Sequence, residues 1–237
     1  MGAAHARLGP SGAHRWLRCP ASIPLSQRLP PRSSGAAAAA GTVMHAVFER
    51  RLLDKHDFTR EEIEFLAQLD VVESRARMIV NQAEIAARYV LKQNNLTEFL
   101  VETRVDPGAV MGRADFWGTA DLIAADKSTS TLLVGDLKTG RGRVEVEFND
   151  QLLAYAVGAE VLLDFAPRRV LLAIFQPPVY GSRAAVWETT TETLRQFSRY
   201  ASERARITDS KSVVPTPSDE ACRWCPARPV CPAHMTL

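Results

Sequence analysis

Two apolar segments that each contain one aspartate constrain the fold of this chain more than any other feature. They are the runs TADLIAAD around Asp121 and TLLVGDLK around Asp136, joined by the polar turn KSTS. Their length and apolar composition predict two neighbouring strands connected by a tight turn. An acid inside such a strand is unfavourable unless its charge is compensated. The pair therefore predicts a buried sheet that brings two carboxylates together.

The patterns on either side of this hairpin predict an α/β core. A helix is predicted at 36–54, and Thr59 with Glu62 forms a capping box that begins a helical region ending near Gln93. The remaining predictions follow in chain order: a strand at 98–106, the hairpin, a largely apolar helix at 148–165, a strand at 169–178, an edge strand at 183–190, and a helix capped by 189–192. This order is typical of a small mixed sheet flanked by helices.

Composition excludes several classes of protein. The chain has 237 residues, of which 46% are hydrophobic and 24% charged, a profile typical of a globular domain. It contains no apolar run long enough to span a membrane and no N-terminal secretory signal, which predicts a cytoplasmic protein without membrane contact. The net charge of +2 does not by itself indicate a nucleic-acid partner, although no acid precedes Glu49.

The acids of the hairpin suit a metal site. Asp136 and Lys138 are two residues apart on a predicted strand, so their side chains share one face, and Asp121 can lie beside them. Two carboxylates favour a hard divalent cation such as Mg²⁺ or Mn²⁺. Lys138 could then orient or deprotonate a water, or stabilise charge on a phosphate. The plain alternative is a surface hairpin with an ordinary Asp–Lys ion pair.

Together with a glutamine and a tyrosine further along the chain, these residues resemble the motifs of the PD-(D/E)XK nuclease superfamily, in its RecB-like branch. The matching residues are His45 on an earlier helix, Asp121, Asp136, Lys138, and Gln151 with Tyr155 in a Gln-x-x-x-Tyr motif. Alanine precedes Asp121 where the superfamily usually has proline. The resemblance implies a restriction-endonuclease-like core, with a central mixed sheet flanked by helices.

The resemblance also implies a role for each residue. His45, Asp121, Asp136 and the backbone carbonyl of Leu137 would hold Mg²⁺ or Mn²⁺. Lys138 would be the catalytic lysine, while Gln151 and Tyr155 would contact DNA or brace the site. Glu102 and Glu49 are weaker candidates for the same site. Taken alone, His45, Gln151 and Tyr155 each have a plainer explanation as structural polar groups.

Four cysteines form a one-plus-three arrangement: Cys19 lies near the start, and Cys222, Cys225 and Cys231 lie near the end. In a reducing compartment such spacing favours a metal centre over disulfides. Structural zinc usually takes two close pairs, whereas a [4Fe–4S] cluster is less tied to paired spacing. The same split occurs in AddB-type and CRISPR-associated adaptation nucleases, and this resemblance implies a structural [4Fe–4S] cluster. Zinc and unliganded thiols are the alternatives.

Shifts in composition divide the chain into three predicted parts: an N-terminal arm at 1–35, a nuclease core at 36–210, and a Cys-rich cluster segment at 211–237. Arg141 and Arg143 follow Lys138 closely, and either contact DNA phosphates or form a solvated basic loop. Four aromatic residues are predicted to pack in the interior, with base stacking as the alternative for one of them: Trp16, Phe116, Trp117 and Trp224.

The leading functional hypothesis is a Mg²⁺- or Mn²⁺-dependent deoxyribonuclease, with an exonuclease acting on DNA ends or single strands favoured by analogy. The N-terminal pattern from Ser11 to Cys19 also resembles a phage and prophage family. That resemblance implies a role in phage DNA recombination, repair or processing, with phage or host recombination proteins as partners. The alternatives are a non-catalytic DNA-binding or assembly module and a zinc-stabilised scaffold.

Overall fold

A computed structural model describes residues 6–30 and 35–235. Its strands are β1 (Phe99–Val105), β2 (Gly118–Asp126), β3 (Thr131–Leu137), β4 (Arg169–Phe175) and β5 (Ala185–Thr189). Its longer helices are α3 (Ala36–Leu52), α4 (Arg60–Gln68), α5 (Glu73–Gln93), α6 (Asp150–Leu163) and α8 (Thr191–Thr208). Its short helices are α1 (Ala13–Trp16), α2 (Ser22–Ser26), α7 (Pro177–Tyr180), α9 (Asp219–Cys222) and α10 (Pro232–Met235).

The five strands form one sheet in the order β1-β2-β3-β4-β5. Neighbouring strands are antiparallel except for β3 and β4, which are parallel and connected through α6. Such a crossover is required because parallel strands cannot be joined by a tight turn. The predicted α/β architecture, a mixed sheet flanked by helices, is confirmed, and it is consistent with a restriction-endonuclease-like fold.

The sheet separates two apolar clusters. The cluster under α6 and α8 contains Trp16, Phe116, Val134, Leu152 and Phe197. The cluster under α3 and α5 contains Phe48, Ile79, Leu133 and Phe175. Trp16 and Phe116 are fully buried and meet edge to face, with ring centroids 5.2 Å apart. The first helix of the chain therefore packs into the same interior as the sheet.

The helix patterns are largely confirmed, with two differences. Thr59 Oγ1 accepts from the Glu62 N–H and the Glu62 carboxylate accepts from the Thr59 N–H, which completes the predicted capping box. The helical region that follows is divided into α4 and α5, with Asp70 at φ +59° between them. The cap predicted for α8 is wrong, because Thr190 precedes that helix without a side-chain capping bond.

Hydrogen bonds attach the two ends of the described chain to the core and to each other. Arg204 on α8 donates to the carbonyls of Leu17 and Arg18, at 2.5 and 2.9 Å. The Arg18 guanidinium pairs with Asp150, the first residue of α6, and lies 2.7 Å from the carboxylate of Glu220 on α9.

In the ranges that the structure describes, no helix has the length and hydropathy needed to cross a bilayer.

Candidate active site

The two aspartates lie where strands β2 and β3 stop pairing. The last paired residues are Leu122 and Gly135, so Asp121 and Asp136 are opposite each other just beyond the ladder. Asp121 Oδ2 accepts from the Leu137 N–H at 2.6 Å. The Asp121 carboxylate thus accepts from a backbone N–H that would otherwise bond to a carbonyl of the neighbouring strand. The predicted convergence of the two carboxylates is found at this point.

His45 reaches the same place from helix α3. Its Nδ1 lies 3.0 Å from Asp121 Oδ1. Burial opposes the charged imidazolium, but the hydrogen bond to Asp121 and the charges of Asp121 and Asp136 outweigh it and raise the pKa of His45. His45 and Asp121 therefore form an electrostatically coupled pair.

Gln151, in the first turn of α6, joins three other site residues. Its Oε1 accepts from Lys138 Nζ at 2.8 Å. Its Nε2 lies 2.8 Å from Asp136 Oδ1 and 3.0 Å from the Tyr155 hydroxyl. The side chain of Asn149 caps α6 by accepting from the Gln151 N–H at 3.1 Å, which fixes where the helix begins. The Gln-x-x-x-Tyr motif thus packs directly against the acid–lysine pair.

Asp136 is a buried carboxylate with an incomplete set of partners. It is 2% exposed, and Lys138 Nζ lies 2.7 Å from its Oδ2. Oδ2 has no partner other than this ammonium among the described residues. Burial raises the pKa of Asp136; the Lys138 charge opposes this and the Asp121 carboxylate reinforces it. A cation at Oδ2 would stabilise the ionised form.

Glu102 brings a further carboxylate to this point. The pairing of β1 with β2 places it opposite Asp121, between the pairs Val101–Leu122 and Thr103–Ala120. Glu102 has φ +44°, a conformation that is uncommon for a residue other than glycine and that often marks a functional site. Loss of hydration and then the Asp121 charge raise its pKa. Sequence reasoning ranked Glu102 low because nothing in the pattern of β1 reveals this distortion.

The side chains predicted to bind the metal lie close together, but they do not form a complete coordination sphere. His45 and Asp121 bond to each other, while Asp136 bonds to Gln151. Over residues 6–30 and 35–235, no group of three or more His, Cys, Asp or Glu side chains is positioned to hold a metal ion. The donor chemistry nevertheless suits Mg²⁺ or Mn²⁺, because two buried carboxylates converge and Asp136 Oδ2 contacts only the Lys138 ammonium among the described residues.

The basic loop after β3 is shaped by a residue that sequence reasoning missed. The fully buried Gln176 donates to the carbonyls of Gly140 and Gly142, at 2.9 and 2.7 Å, and accepts from the Val144 N–H at 3.0 Å. The available signal was a polar residue between an apolar strand and Pro177. Gln176 thereby fixes the path of the chain that follows Lys138.

Both arginines predicted to contact DNA lie on that loop. Arg143 forms an ion pair with Glu145 at 2.7 Å and lies over the Tyr180 ring, 5.8 Å from its centroid. Arg141 is exposed. The structure therefore leaves both residues on the surface near Lys138, with Arg143 already paired to a carboxylate.

The four cysteines line one small cavity of about 30 Å³. Cys19 is buried and the other three, Cys222, Cys225 and Cys231, are half-buried. The Thr216 N–H approaches Cys19 Sγ at 3.4 Å. The first and last parts of the described chain therefore bring their cysteines to one place, although these thiols do not form a metal-binding group of three or more in the described residues.

Arg15 lies near two of these cysteines, Cys19 and Cys225, and sequence reasoning did not single it out. Its Nε is buried and has no hydrogen-bond partner within the described parts of the chain. Loss of hydration lowers the pKa of Arg15, whereas the charges of Cys225 and Cys19 raise it, which places the guanidinium near both sulfurs. A buried cation of this kind needs a negative partner.

The aromatic residues predicted to be internal divide into two groups. Trp16 and Phe116 are fully buried, as predicted. Trp117 is half-buried, and the Arg104 guanidinium lies 3.9 Å from its ring centroid. The prediction for Trp224 is wrong, because 74% of this residue is exposed. In its segment Ala221 and Ala227 pack inward with Cys19, which leaves the indole on the solvent side.

The fold and site define an α/β protein whose mixed sheet carries a buried acid–lysine–glutamine cluster where two strands stop pairing. The chain belongs to the DUF2800 family, described as "Protein of unknown function (DUF2800)", which it matches over residues 5–236.

Two solved structures are similar to this chain. One, "Crystal structure of SSO0001", has 18% identity and a TM-score of 0.35, covering 81% of this chain and 85% of that chain. The other, "Crystal Structure of LHK-Exo in complex with dAMP", has 11% identity and a TM-score of 0.34, covering 84% of this chain and 90% of that chain.

Proposed function

We propose that this protein is a metal-dependent deoxyribonuclease that hydrolyses phosphodiester bonds with Mg²⁺ or Mn²⁺. The observation that carries the proposal is the position of Gln151, which bonds to both Lys138 and Asp136 beside the His45–Asp121 pair. An ordinary surface ion pair between Asp136 and Lys138 does not account for a carboxylate that is 2% exposed.

Each residue has a role in this proposal. His45, Asp121, Asp136 and the Leu137 carbonyl would hold the cation, which when bound polarises a phosphodiester and lowers the pKa of a coordinated water. Lys138 would direct its ammonium group at a phosphate oxygen or at the attacking water.

Gln151 and Tyr155 would position the other groups. Gln151 holds the Lys138 ammonium at 2.8 Å, which limits the directions the flexible lysine can take. Burial and the nearby Asp136 charge raise the pKa of Tyr155, so its phenol stays protonated at neutral pH and remains a hydrogen-bond donor.

We further propose that Cys19, Cys222, Cys225 and Cys231 bind a structural [4Fe–4S] cluster. Arg15 supports a negatively charged centre, because this half-buried cation, whose Nε is fully buried, has no carboxylate partner among the described residues and lacks a counter-charge if the thiols are neutral. Four thiolates on zinc would satisfy Arg15 equally well. Brown anaerobically purified protein containing iron and sulfide supports the cluster, and colourless protein with one zinc per chain supports the alternative. Metal-free protein with four titratable thiols would contradict both.

The resemblance alone supports the finer parts of the proposal. These are exonuclease action on DNA ends or single strands, a cytoplasmic location, and a role in phage DNA recombination, repair or processing beside phage or host recombination proteins.

The test is degradation of end-labelled DNA by anaerobically purified protein in Mn²⁺, in Mg²⁺ and in EDTA. We expect cleavage with either metal and none in EDTA. Asp136→Ala and Lys138→Ala should abolish cleavage, whereas Lys127→Ala, a change at an exposed lysine in the turn before β3, should not. Circular dichroism establishes that each variant is folded. Unchanged cleavage by folded Asp136→Ala protein would overturn the proposal.

A second candidate, a non-catalytic DNA-binding module, is favoured by one observation. Protein groups already bond to both aspartates: Asp121 to His45 and the Leu137 N–H, and Asp136 to Gln151. This candidate predicts DNA binding that weakens with salt and no metal-stimulated cleavage. The same end-labelled assay therefore separates the two functions.

A further inference from the structure

A wide groove of about 1220 Å³ begins at the candidate active site and extends to the Cys-rich segment. Lys138 and Gln151 line one end of it, and Phe148 stands beside them in the loop before α6. Trp224, Arg223 and Arg228, in the segment around the cysteines, line the other end. The groove thus connects the two predicted centres of the protein along one continuous surface.

Two aromatic side chains are exposed inside this groove. Phe148 is 68% exposed and Trp224 is 74% exposed. Phe148 also has φ +52°, an unfavourable backbone conformation for a residue with a β-carbon. Its ring is held against Trp187, with centroids 4.7 Å apart. Most of the ring stays in solvent despite this contact, and backbone strain of this kind is found at binding sites.

The charges of the groove are nearly balanced. Its arginines Arg18 and Arg143 are already paired with carboxylates of the same groove. Arg223 and Arg228 form no ion pair among the described residues, and Glu147 and Asp219 add unpaired negative charge. A surface of this kind lacks the strong positive potential that binds duplex backbone. Arg228 does donate from Nε to His234 Nε2, at 2.8 Å, but not to a carboxylate. Exposed rings beside two arginines that are not paired with carboxylates suit unpaired bases, which stack on aromatic faces.

We propose that this groove binds a single strand of DNA, whose bases stack on Phe148 and Trp224 while Arg223 and Arg228 contact its phosphates. The inference rests on the proposed nuclease function and specifies its substrate, because the strand so held leads to Lys138. Phe148 lies three residues before Gln151, so the base stacked on it is the one nearest the acid–lysine pair.

The test measures binding in EDTA, where no metal-dependent cleavage takes place. A fluorescein-labelled oligothymidylate of about 20 nucleotides is titrated with the full-length protein and followed by anisotropy. Phe148→Leu and Trp224→Leu remove an aromatic face but keep an apolar side chain, and each should raise Kd at least about fivefold. Trp224→Phe should restore binding to within about threefold, because it returns an aromatic ring. The matched control is Tyr89→Leu on α5, an aromatic side chain that is 61% exposed outside the groove.

Two further measurements separate stacking from simple charge attraction. For two phosphate contacts, the slope of log K against log salt should be about −1.4. A blunt duplex of the same sequence should bind about tenfold more weakly, because its bases cannot stack on the rings. Equal affinity of the wild type, Phe148→Leu and Trp224→Leu for the oligonucleotide would overturn the proposal, as would equal binding of the duplex.

The experiments distinguish failure of the single-strand binding proposal from failure of the nuclease proposal. Mn²⁺-dependent cleavage of DNA by the wild type, with unchanged Kd in both leucine variants, would overturn the groove and support the nuclease. Binding that depends on both rings, without cleavage in Mn²⁺ or Mg²⁺, would support the groove and overturn the nuclease.

Discussion

Gln151 Nε2 donates to Asp136 Oδ1 at 2.8 Å while Gln151 Oε1 accepts from Lys138 Nζ at the same distance. Gln151→Leu removes both bonds and leaves the lysine free to rotate. We expect kcat for DNA cleavage to fall about tenfold to a hundredfold, with KM changed less than about threefold, because positioning is lost and binding is not. Steady-state kinetics on labelled DNA measures both constants. The control is Gln196→Leu, on the exposed side of α8, and an unchanged kcat in Gln151→Leu would contradict the role.

The buried Arg15 gives a prediction about the cysteine centre. Arg15→Gln removes the cation beside Cys19 and Cys225, so four thiolates there would lose their nearest buried counter-charge. We expect a lower metal content per chain in anaerobically purified protein, and retention of the metal in Arg15→Lys. Elemental analysis combined with titration of free thiols provides the measurement. The exposed Arg28 supplies the control Arg28→Gln, and full metal content in Arg15→Gln would refute the argument.

Glu160 on α6 should make stability fall as pH rises. Burial raises its pKa from 4.5 to about 7, and the Arg195 charge opposes this only in part. Because the folded chain holds this proton more tightly than the unfolded chain, the folded state loses stability as pH rises from about 4.5 to about 7. Glu160→Gln should therefore be nearly neutral near pH 4.5 and stabilising by about 1–3 kcal/mol near pH 8.

Urea unfolding at both pH values tests this, with Glu203→Gln at an exposed position of α8 as the control. Equal effects of Glu160→Gln at the two pH values would show that the carboxyl is hydrated in solution.

Gly158 marks the closest approach of α6 to the end of β1. A β-carbon there would lie 2.8 Å from Val105 Cβ and 3.0 Å from the Asp106 nitrogen. Alanine normally stabilises a helix interior by about 1 kcal/mol relative to glycine. Here the clash should reverse that sign, so Gly158→Ala should lower the free energy of unfolding by about 1–3 kcal/mol. Gly140→Ala, where no atom lies within 4 Å of the added carbon, serves as the control in urea unfolding. A stabilised Gly158→Ala variant would show that the helix shifts freely.

Strands and site acids were predictable because their signals are local. The predicted strand at 98–106 corresponds to Phe99–Val105, since alternation and the Asp-Pro-Gly turn limit it on both sides. Asp121 and Asp136 were predictable as site residues because burying an acid in an apolar strand is unfavourable unless its charge is compensated. Gln151 lies within the helix predicted at 148–165 and one residue after its observed start at Asp150, so its place on the helix was predictable as well.

Other parts of the site depend on contacts between distant segments. Arg15 lies beside both Cys19 and Cys225, and no local pattern reports a contact over that separation. The exposure of Trp224 depends on how little of the chain folds over it. Glu102 has a positive φ at the point where it lies opposite Asp121, a conformation that the alternating pattern of β1 does not predict. Each feature is determined by tertiary packing, which periodicity does not encode.

The guanidinium of Arg18 is shared between Asp150 and Glu220, and this has a consequence for biosynthesis. A ribosome completes α6 with Gln151 well before it reaches Glu220 and the three later cysteines. Until those residues emerge, Arg18 can pair only with Asp150, and the cavity that Cys19 lines lacks the other three cysteines. The four cysteines can therefore meet only after every residue of the acid–lysine cluster has been synthesised.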